Sequence, residues 1–300
     1  RFKDNWKLNN LRYFQIAGIT IQLTTDFPIT ADTFDPKFEK FRVEEPGDDI
    51  ISIRLFSSLP KLSRFQLEER VYKKPPWAVY KQRDSWVYVG IPAYDKNDKV
   101  YSISIFNKDY SQAIIYQPEH IFKNFKLSSL TTFPSDLLLL TQVLANRQGC
   151  YLHASGIILN NQGLLFVGHS EAGKSTMMKI LRGRGEILCD ERLIIRRWPE
   201  GFRIHGTWSH GELPDVSPAS APLRAILYLD KSDKNELVPI LDKRDRLGKV
   251  LSYVMRPIIT AEWWEKTLDL AGKIATEVPA YYLKFDKSGR VIKVLEELYK

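Results

Sequence analysis

The chain has no apolar run that approaches about 20 residues, the length that a membrane-spanning helix needs. Its first residues, 1–6, contain no apolar stretch of the kind that opens a secretory signal peptide. It also lacks a dense run of Lys or Arg, although its net charge is +8, so we interpret the excess charge as a solvated basic surface. These absences predict a cytoplasmic protein with no nucleic-acid partner and no membrane partner.

Cysteine is scarce too, since the sequence contains only Cys150 and Cys189. Neither belongs to a Cys-x-x-Cys pair or a His-rich segment, which argues against a zinc site, and both lie in apolar stretches where buried thiols are expected. No internal repeat or low-complexity segment is visible. The 300 residues are 44% apolar, which is enough for a buried core and for two domains.

The N-terminal region, residues 1–125, is rich in strand patterns and turns. Apolar and polar residues alternate with a period of two in several segments, which predict strands over 14–23, 50–55, 77–80, 86–89, 100–106 and 113–116. Segments rich in Pro, Gly, Asn and Asp separate them. We predict a β-rich domain with a mostly antiparallel sheet and without a catalytic motif.

In the second region, residues 126–300, predicted strands alternate with predicted helices. The strands are predicted over 150–159, 164–167, 186–189, 193–197, 202–204, 224–229 and 280–285. The helices are predicted over 134–147, 174–182, 243–255, 261–275 and 288–298. This alternation indicates an α/β domain.

The segment Gly168–Ser175 fits the P-loop pattern G-x-x-x-x-G-K-[ST]. Its glycines allow close backbone approach, so that N–H groups and the N-terminus of the next helix can surround phosphates. Lys174 would contact the β- and γ-phosphates, and Ser175 would bind Mg²⁺. The predicted nucleotide-binding residues are Gly168, His169, Ser170, Glu171, Ala172, Gly173, Lys174, Ser175 and Thr176, and the predicted cofactors are ATP and Mg²⁺.

The context of this motif supports that interpretation, because the apolar strand 163–167 precedes it and a helical pattern follows over 176–181. The alternative is a glycine-rich turn that contains a lysine by chance. A second apolar strand, 187–189, ends at Asp190 and Glu191 and resembles a Walker B arrangement. We expect this strand end to lie beside the P-loop strand, which would put one carboxylate near the metal, directly or through water. Without the P-loop, these two acids would be solvated groups at a strand end, paired with Arg192.

Three further candidates carry less information. His153 lies in the strand before the P-loop strand, where it is either a site residue or an ordinary sheet histidine. His169 lies within the loop itself and either contacts phosphate or faces water. The polar and aromatic segment 207–212 is either a substrate-binding loop or a packed turn.

The segments 151–159, 168–175, 182–185 and 188–191 together resemble the kinase core of the HPr serine kinase family, which is related to phosphoenolpyruvate carboxykinases. Further along, 206–212 and 221–229 resemble the wider HPr-kinase-like group, which includes kinases of lasso-peptide precursors. The resemblance implies a mixed-sheet P-loop kinase core preceded by a mostly-β region. It covers about half of the chain, and the family's members often assemble, which allows a homo-oligomer.

The resemblance also implies roles for individual residues. Asp190 matches the carboxylate that accepts the proton of the substrate hydroxyl, Glu191 matches a second carboxylate near the metal, and His153 matches a histidine near the reacting groups. Together with Lys174, Asp190 and His153 are the predicted catalytic residues, and Ser175 and Glu191 are the predicted metal ligands. The chain departs from the family at His169 and at Glu191, where the family has aspartates.

These observations predict an ATP- and Mg²⁺-dependent kinase that phosphorylates a serine or another hydroxyl. The family stretch that recognises HPr is not evident, so the expected acceptor is another peptide or small protein, or a small alcohol. Residues 126–300 form the predicted catalytic domain, and acceptor recognition by residues 1–125 is a hypothesis from their position alone. The alternatives are a regulatory nucleotide-binding protein without catalysis and a carboxykinase-like enzyme that acts on a small organic acid.

Overall fold

The structure is a computed structural model that describes residues 10–65, 67–91, 100–118, 126–131, 133–256 and 260–299. The chain divides into two compact units, residues 1–139 and 140–300. The boundary predicted from the sequence, after residue 125, lies outside the described residues. The roles that the sequence suggests for the two regions stay predictions.

The first unit is built around one sheet of nine described strands, in the order β3-β1-β2-β4-β9-β8-β7-β6-β5. The pairs β2–β4 and β4–β9 are parallel and the other six are antiparallel, so the sheet is mixed. The strands are Leu11–Ile16 (β1), Ile19–Thr25 (β2), Arg42–Val43 (β3), Ile50–Phe56 (β4), Glu69–Lys74 (β5), Trp77–Lys81 (β6), Ser85–Gly90 (β7), Ser102–Asn107 (β8) and Gln112–Tyr116 (β9).

Two features of this sheet differ from the sequence prediction. The predicted single strand 14–23 is a hairpin, because Ala17 and Gly18 both have positive φ and form a two-residue turn between β1 and β2. The strand Glu69–Lys74 was not predicted, since all six of its residues are exposed and none of the apolar alternation of a half-buried strand is present.

The second unit contains eight described strands and most of the helices. The strands are Gly149–Leu159 (β10), Gln162–Val167 (β11), Glu186–Cys189 (β12), Arg192–Trp198 (β13), Gly201–His205 (β14), Ser220–Lys231 (β15), Glu236–Pro239 (β16) and Ala280–Phe285 (β17). The helices, numbered along the chain, are Leu137–Ala145 (α1, at the division between units), Lys174–Leu181 (α2), Lys243–Tyr253 (α3), Ala261–Glu277 (α4) and Val291–Glu296 (α5). Among the described residues, no helix combines the length and apolar content that crossing a bilayer requires.

Two long strands, β10 and β15, join the parts of this sheet. The first half of β10 pairs with β13, and its second half pairs with β11 and β12. β15 pairs in turn with β14, β11 and β17, so that β10, β11, β15, β14 and β13 form a closed ring of neighbours. Parallel and antiparallel pairs both occur, and the chain is a mixed α/β protein with large mixed sheets.

The strand β12 is not next to β11, contrary to the sequence analysis, which assumed that the strand of Asp190 lies beside the P-loop strand. The long strand β10 lies between them and pairs with both. Helix α2 packs across this region through Met177, Met178 and Leu181, which are buried in one apolar cluster with side chains of β11, β17 and α5. The burial of these three side chains holds the start of α2 at the end of β11.

A buried histidine in β14 makes the stability of this unit depend on pH. The indole Nε1 of Trp198 donates to Nε2 of His205 at 3.1 Å, and burial, together with Arg196 and Arg203, lowers the pKa of His205 to about 3. Below about pH 6.5 the unfolded chain binds a proton that the folded chain does not, so stability decreases as pH falls from 6.5 towards 3. The variant His205→Gln keeps an acceptor for Trp198 but has no group that titrates at this position. Between pH 7 and 5.5 we expect its free energy of unfolding to fall by about 1 kcal/mol less than that of the wild type.

Urea unfolding of both proteins at the two pH values measures this difference. His153 and the carboxyl groups titrate in both proteins and therefore cancel in the comparison. Equal losses in the two proteins would mean that His205 accepts a proton in the folded state.

Candidate functional site

The loop 168–173 connects β11 directly to α2. Gly173 is the N-cap of α2, with φ 104° and ψ 22°, and the N–H of Ala172 donates to the carbonyl of His169 at 3.1 Å. The loop tip, residues 169–171, is exposed, whereas Lys174 is buried. The first turn of a helix leaves N–H groups without partners in the helix, so the start of α2 can receive an anion.

The ammonium group of Lys174 lies under the loop. Its Nζ donates to the carbonyl of Gly168 at 2.7 Å and to that of His169 at 3.2 Å. Burial lowers the pKa of Lys174, and the carboxylates of Asp190 and Glu191 oppose this effect. A buried cation whose contacts are carbonyl oxygens can interact strongly with an anion at the same place.

Asp190 follows β12 and is almost completely buried. Its Oδ1 accepts from the N–H of Gly211 at 2.6 Å, and its Oδ2 accepts from the N–H of Leu213 at 2.9 Å. The hydroxyl of Ser175, at the start of α2, donates to Oδ2 at 3.3 Å. The carboxylate is therefore held in one orientation beside the end of the loop that carries Lys174 and Ser175.

Both carboxylate oxygens of Glu191 have partners of their own. Oε1 lies 2.9 Å from the Arg192 guanidinium, and Oε2 accepts from the hydroxyl of Ser209 at 3.0 Å. Arg192 also donates to Ser209 at 3.2 Å. The pairing with Arg192 that the sequence allowed is present, and the metal-binding role of Glu191 stays a prediction.

His153 lies in the part of β10 that pairs with β13, opposite Arg192. Burial lowers the pKa of His153, Lys174 and Arg192 lower it further, and Glu191 opposes them. The imidazole is therefore neutral at pH 7 and available as a proton acceptor. His153 and Lys174 thus influence one another electrostatically, and the role of His153 near the reacting groups stays a prediction.

The segment 207–212, which sequence reasoning left open, is a packed turn that also forms part of the site. Thr207, Trp208 and Ser209 are buried. The backbone N–H of Gly211 and that of Leu213 just beyond hold Asp190. Two exposed ion pairs tie the same stretch to α2, Lys179 with Glu212 and Arg182 with Asp215.

The sequence profile of one protein family, described as SynChlorMet cassette protein ScmC, matches residues 126–300, which is more than half of the chain. The chain belongs to the ScmC family. The description of ScmC names a cassette and no reaction, ligand or partner. The match is to ScmC and not to the lasso-peptide-precursor kinases, so that finer assignment stays a prediction.

Among solved structures, the HPr(Ser) kinase/phosphatase from Coxiella burnetii is similar to this ScmC protein over 49% of the chain and 94% of that structure's chain. The identity is 13% and the TM-score is 0.30, so this likeness carries no argument about the fold or the function of the ScmC protein. Comparison with curated proteins finds no match.

The loop geometry of this ScmC protein predicts a large effect of adding one methyl group. A Cβ at Gly173 would lie 2.7 Å from Cζ of Phe285, and its φ is one that residues with side chains rarely adopt. We expect Gly173→Ala to destabilise the protein by about 2 kcal/mol and to distort the turn that leads into Lys174. Urea unfolding measures the first effect and the thermal shift produced by ATP and Mg²⁺ measures the second.

Gly183→Ala is the matched control, because Gly183 has φ 80° and nothing lies within 4 Å of its added Cβ. It introduces backbone strain of about 1 kcal/mol without a collision. Equal destabilisation by the two substitutions would mean that the contact with Phe285 does not restrict residue 173.

Proposed function

We propose that this chain binds ATP and Mg²⁺ through a P-loop kinase core of the HPr kinase and phosphoenolpyruvate carboxykinase type, and transfers the γ-phosphoryl group to a hydroxyl. The convergence of Lys174, Ser175 and Asp190 is the observation that carries the proposal. Two of these groups lie at the start of α2, and the third follows β12, yet Ser175 and Asp190 are joined by a hydrogen bond. P-loop phosphotransferases combine a lysine, a hydroxyl and an acid in this way.

The chemistry of the side chains fits Mg²⁺ and a triphosphate. Mg²⁺ keeps several waters and takes one or two protein oxygens together with phosphate oxygens, and the hydroxyl of Ser175 and the carboxylate of Asp190 supply such oxygens. When bound, the ion would neutralise charge on the β- and γ-phosphates. Within the described part of the chain, no three His, Cys, Asp or Glu side chains form a cluster that would favour another metal.

The reaction forms a bond between the acceptor oxygen and the γ-phosphorus and breaks the bond from that phosphorus to the β–γ bridging oxygen. The products are ADP and a phosphate ester. Lys174 and the N–H groups of the loop would stabilise the negative charge that spreads over the transferred group. The hydroxyl proton would pass to Asp190, whose carboxylate the N–H groups of Gly211 and Leu213 hold in one orientation. Neutral His153 is the second proton acceptor available.

The preferred acceptor is a serine of a peptide or small protein, and a small alcohol is the alternative within the same chemistry. ATP is supplied in the cytoplasm, where we propose that the reaction occurs. Both oxygens of Glu191 already have partners, Arg192 and Ser209, which makes this acid less available to a metal and favours a second candidate function, a nucleotide-binding protein that does not transfer phosphate.

Two measurements on the wild-type protein test the proposal. The first is the thermal shift produced by ATP with Mg²⁺, compared with ATP in EDTA and with AMP, and we expect a rise in Tm that needs both the triphosphate and the metal. The second is transfer of ³²P from γ-labelled ATP to a set of serine peptides and small alcohols. A shift without any labelled product would support the regulatory function, and the absence of a shift would contradict nucleotide binding altogether.

A further inference from the structure

Helix α3 has a basic and aromatic side that borders the second unit's sheet, where its residues are half-buried and still partly open to solvent. Arg246, Lys249 and Tyr253 are spaced at i, i+3 and i+7, which brings them to one side of a helix. Contacts fix that side, because Nζ of Lys249 lies 5.2 Å from the ring centre of Tyr228 and 4.5 Å from that of Tyr282. We call Arg246, Lys249 and Tyr253 the α3 face.

The C-terminal end of the α3 face lies next to the nucleotide loop. The ring of Tyr253 is 5.2 Å from the ring of His169, and 6.0 Å from that of Tyr228. His169 is also one of the two residues whose carbonyls contact Nζ of Lys174. A P-loop lysine reaches the β- and γ-phosphates of the nucleotide. The Tyr253 end of the α3 face therefore lies near the place where the transferred phosphoryl group would be.

Positive charge dominates this helix. The helix contains four cations and one acid, Asp245. The carboxylate of Asp245 accepts from the Tyr282 hydroxyl at 3.3 Å, and that of Asp242, before the helix, accepts from the N–H of Asp245 as its N-cap. Among the residues that the structure describes, no carboxylate forms an ion pair with any cation of α3 or with Arg256, three residues after the helix. The cations of α3 are Lys243, Arg244, Arg246 and Lys249. Leu241, immediately before the helix, is 81% exposed.

We propose that the α3 face binds an acidic peptide segment of the acceptor and so presents the acceptor's hydroxyl to the loop. Carboxylates of the peptide would pair with Arg246 and Lys249, which lack such partners, and its apolar atoms would contact the tyrosine rings and Leu241. The inference rests on the proposed kinase function and adds the substrate class: a serine flanked by glutamate or aspartate.

Binding of peptides tests the inference without any need for turnover. The probe is a fluorescein-labelled peptide with four glutamates on each side of one serine, and its matched partner has glutamine at all eight positions. We expect the acidic peptide to bind by fluorescence anisotropy with an affinity that falls as salt rises, and the glutamine peptide to bind at least tenfold more weakly. The double variant Arg246→Gln, Lys249→Gln should weaken binding of the acidic peptide about tenfold.

Lys293→Gln is the control, since Lys293 is an exposed lysine on α5 and this variant changes the charge of the same unit without touching α3. Equal affinity for the two peptides, or equal loss in the control and the double variant, would overturn the inference. It would also be overturned if the double variant or Tyr253→Leu removed the thermal shift with ATP but kept peptide binding, because the face would then be a nucleotide subsite. Peptide binding through α3 in a protein that shows no shift with ATP would contradict the kinase function and leave the docking surface intact.

Discussion

Lys174→Met is expected to abolish the thermal shift with ATP and Mg²⁺ and to lower phosphoryl transfer by on the order of 10²–10³-fold. The reason is that Nζ of Lys174 is the cation held at the carbonyls of Gly168 and His169, where negative charge would develop in the proposed transfer. Methionine keeps the length and much of the volume of the side chain, so packing around α2 is preserved. Thermal shift and ³²P transfer give the two readouts.

The stability of the unliganded variant provides an additional test. Burial lowers the pKa of Lys174, which means that the fold disfavours its charge. We therefore expect Lys174→Met to unfold at the same urea concentration as the wild type or at a higher one, as is common for residues kept for binding. Lys293→Met, on the exposed side of α5, is the control and should change neither readout. A variant with normal ATP binding would contradict the assignment of the loop.

Asp190→Asn is expected to lower phosphoryl transfer by on the order of 10³-fold, because an amide can neither accept the hydroxyl proton nor supply a charged oxygen to Mg²⁺. The amide nitrogen must also face a donor, since the N–H groups of Gly211 and Leu213 each point at one carboxylate oxygen. We expect a loss of about 1–3 kcal/mol in stability from that mismatch. ATP should still bind in EDTA, where no metal contributes, and Mg²⁺ should no longer strengthen the binding.

His153→Gln separates the two proton acceptors. If Asp190 is the base, this variant keeps a substantial rate and the pH at which activity falls is unchanged. If His153 is the base, the decrease in rate at acidic pH disappears together with most of the activity, because protonation of its imidazole would cause that decrease. Full activity of Asp190→Asn would show that the carboxylate has no part in the chemistry.

The sequence predicts well those features that depend on neighbouring residues. The strands Glu186–Cys189 and Ala280–Phe285 have the predicted bounds, and α2 begins at Lys174 as predicted and ends one residue earlier. Each of these elements has a short apolar pattern and a clear stop, as Gly183 and Asp286 provide. The hairpin at Ala17 and Gly18 was missed because alanine rarely adopts positive φ, and Gly18 alone does not distinguish a turn from an irregularity within one strand.

In the candidate site, too, the sequence predicts contiguous motifs and does not predict contacts between distant segments. The P-loop pattern and the acids at 190–191 are contiguous motifs that the sequence shows directly, and a hydrogen bond between Ser175 and Asp190 joins them in the structure. The other partners of Asp190 are the backbone N–H groups of Gly211 and Leu213, more than 20 residues further along the chain. Almost any residue type has such a group, so the sequence does not reveal these contacts. The approach of Tyr253 to His169 depends on how α3 packs on the sheet, and no local pattern encodes it.

The two ion pairs between α2 and the stretch 212–215 have a mechanical consequence. Helix α2 begins at the loop 168–173, and the N–H groups of Gly211 and Leu213 fix Asp190. Because the ion pairs connect α2 to the same stretch, a displacement of the helix would also move the carboxylate of Asp190. Lys179, and Arg182 just after the helix, thus link α2 to the stretch that fixes Asp190, and high ionic strength would weaken both ion pairs while leaving the buried core intact. Such coupling would let the arrival of one ligand set the alignment of the other.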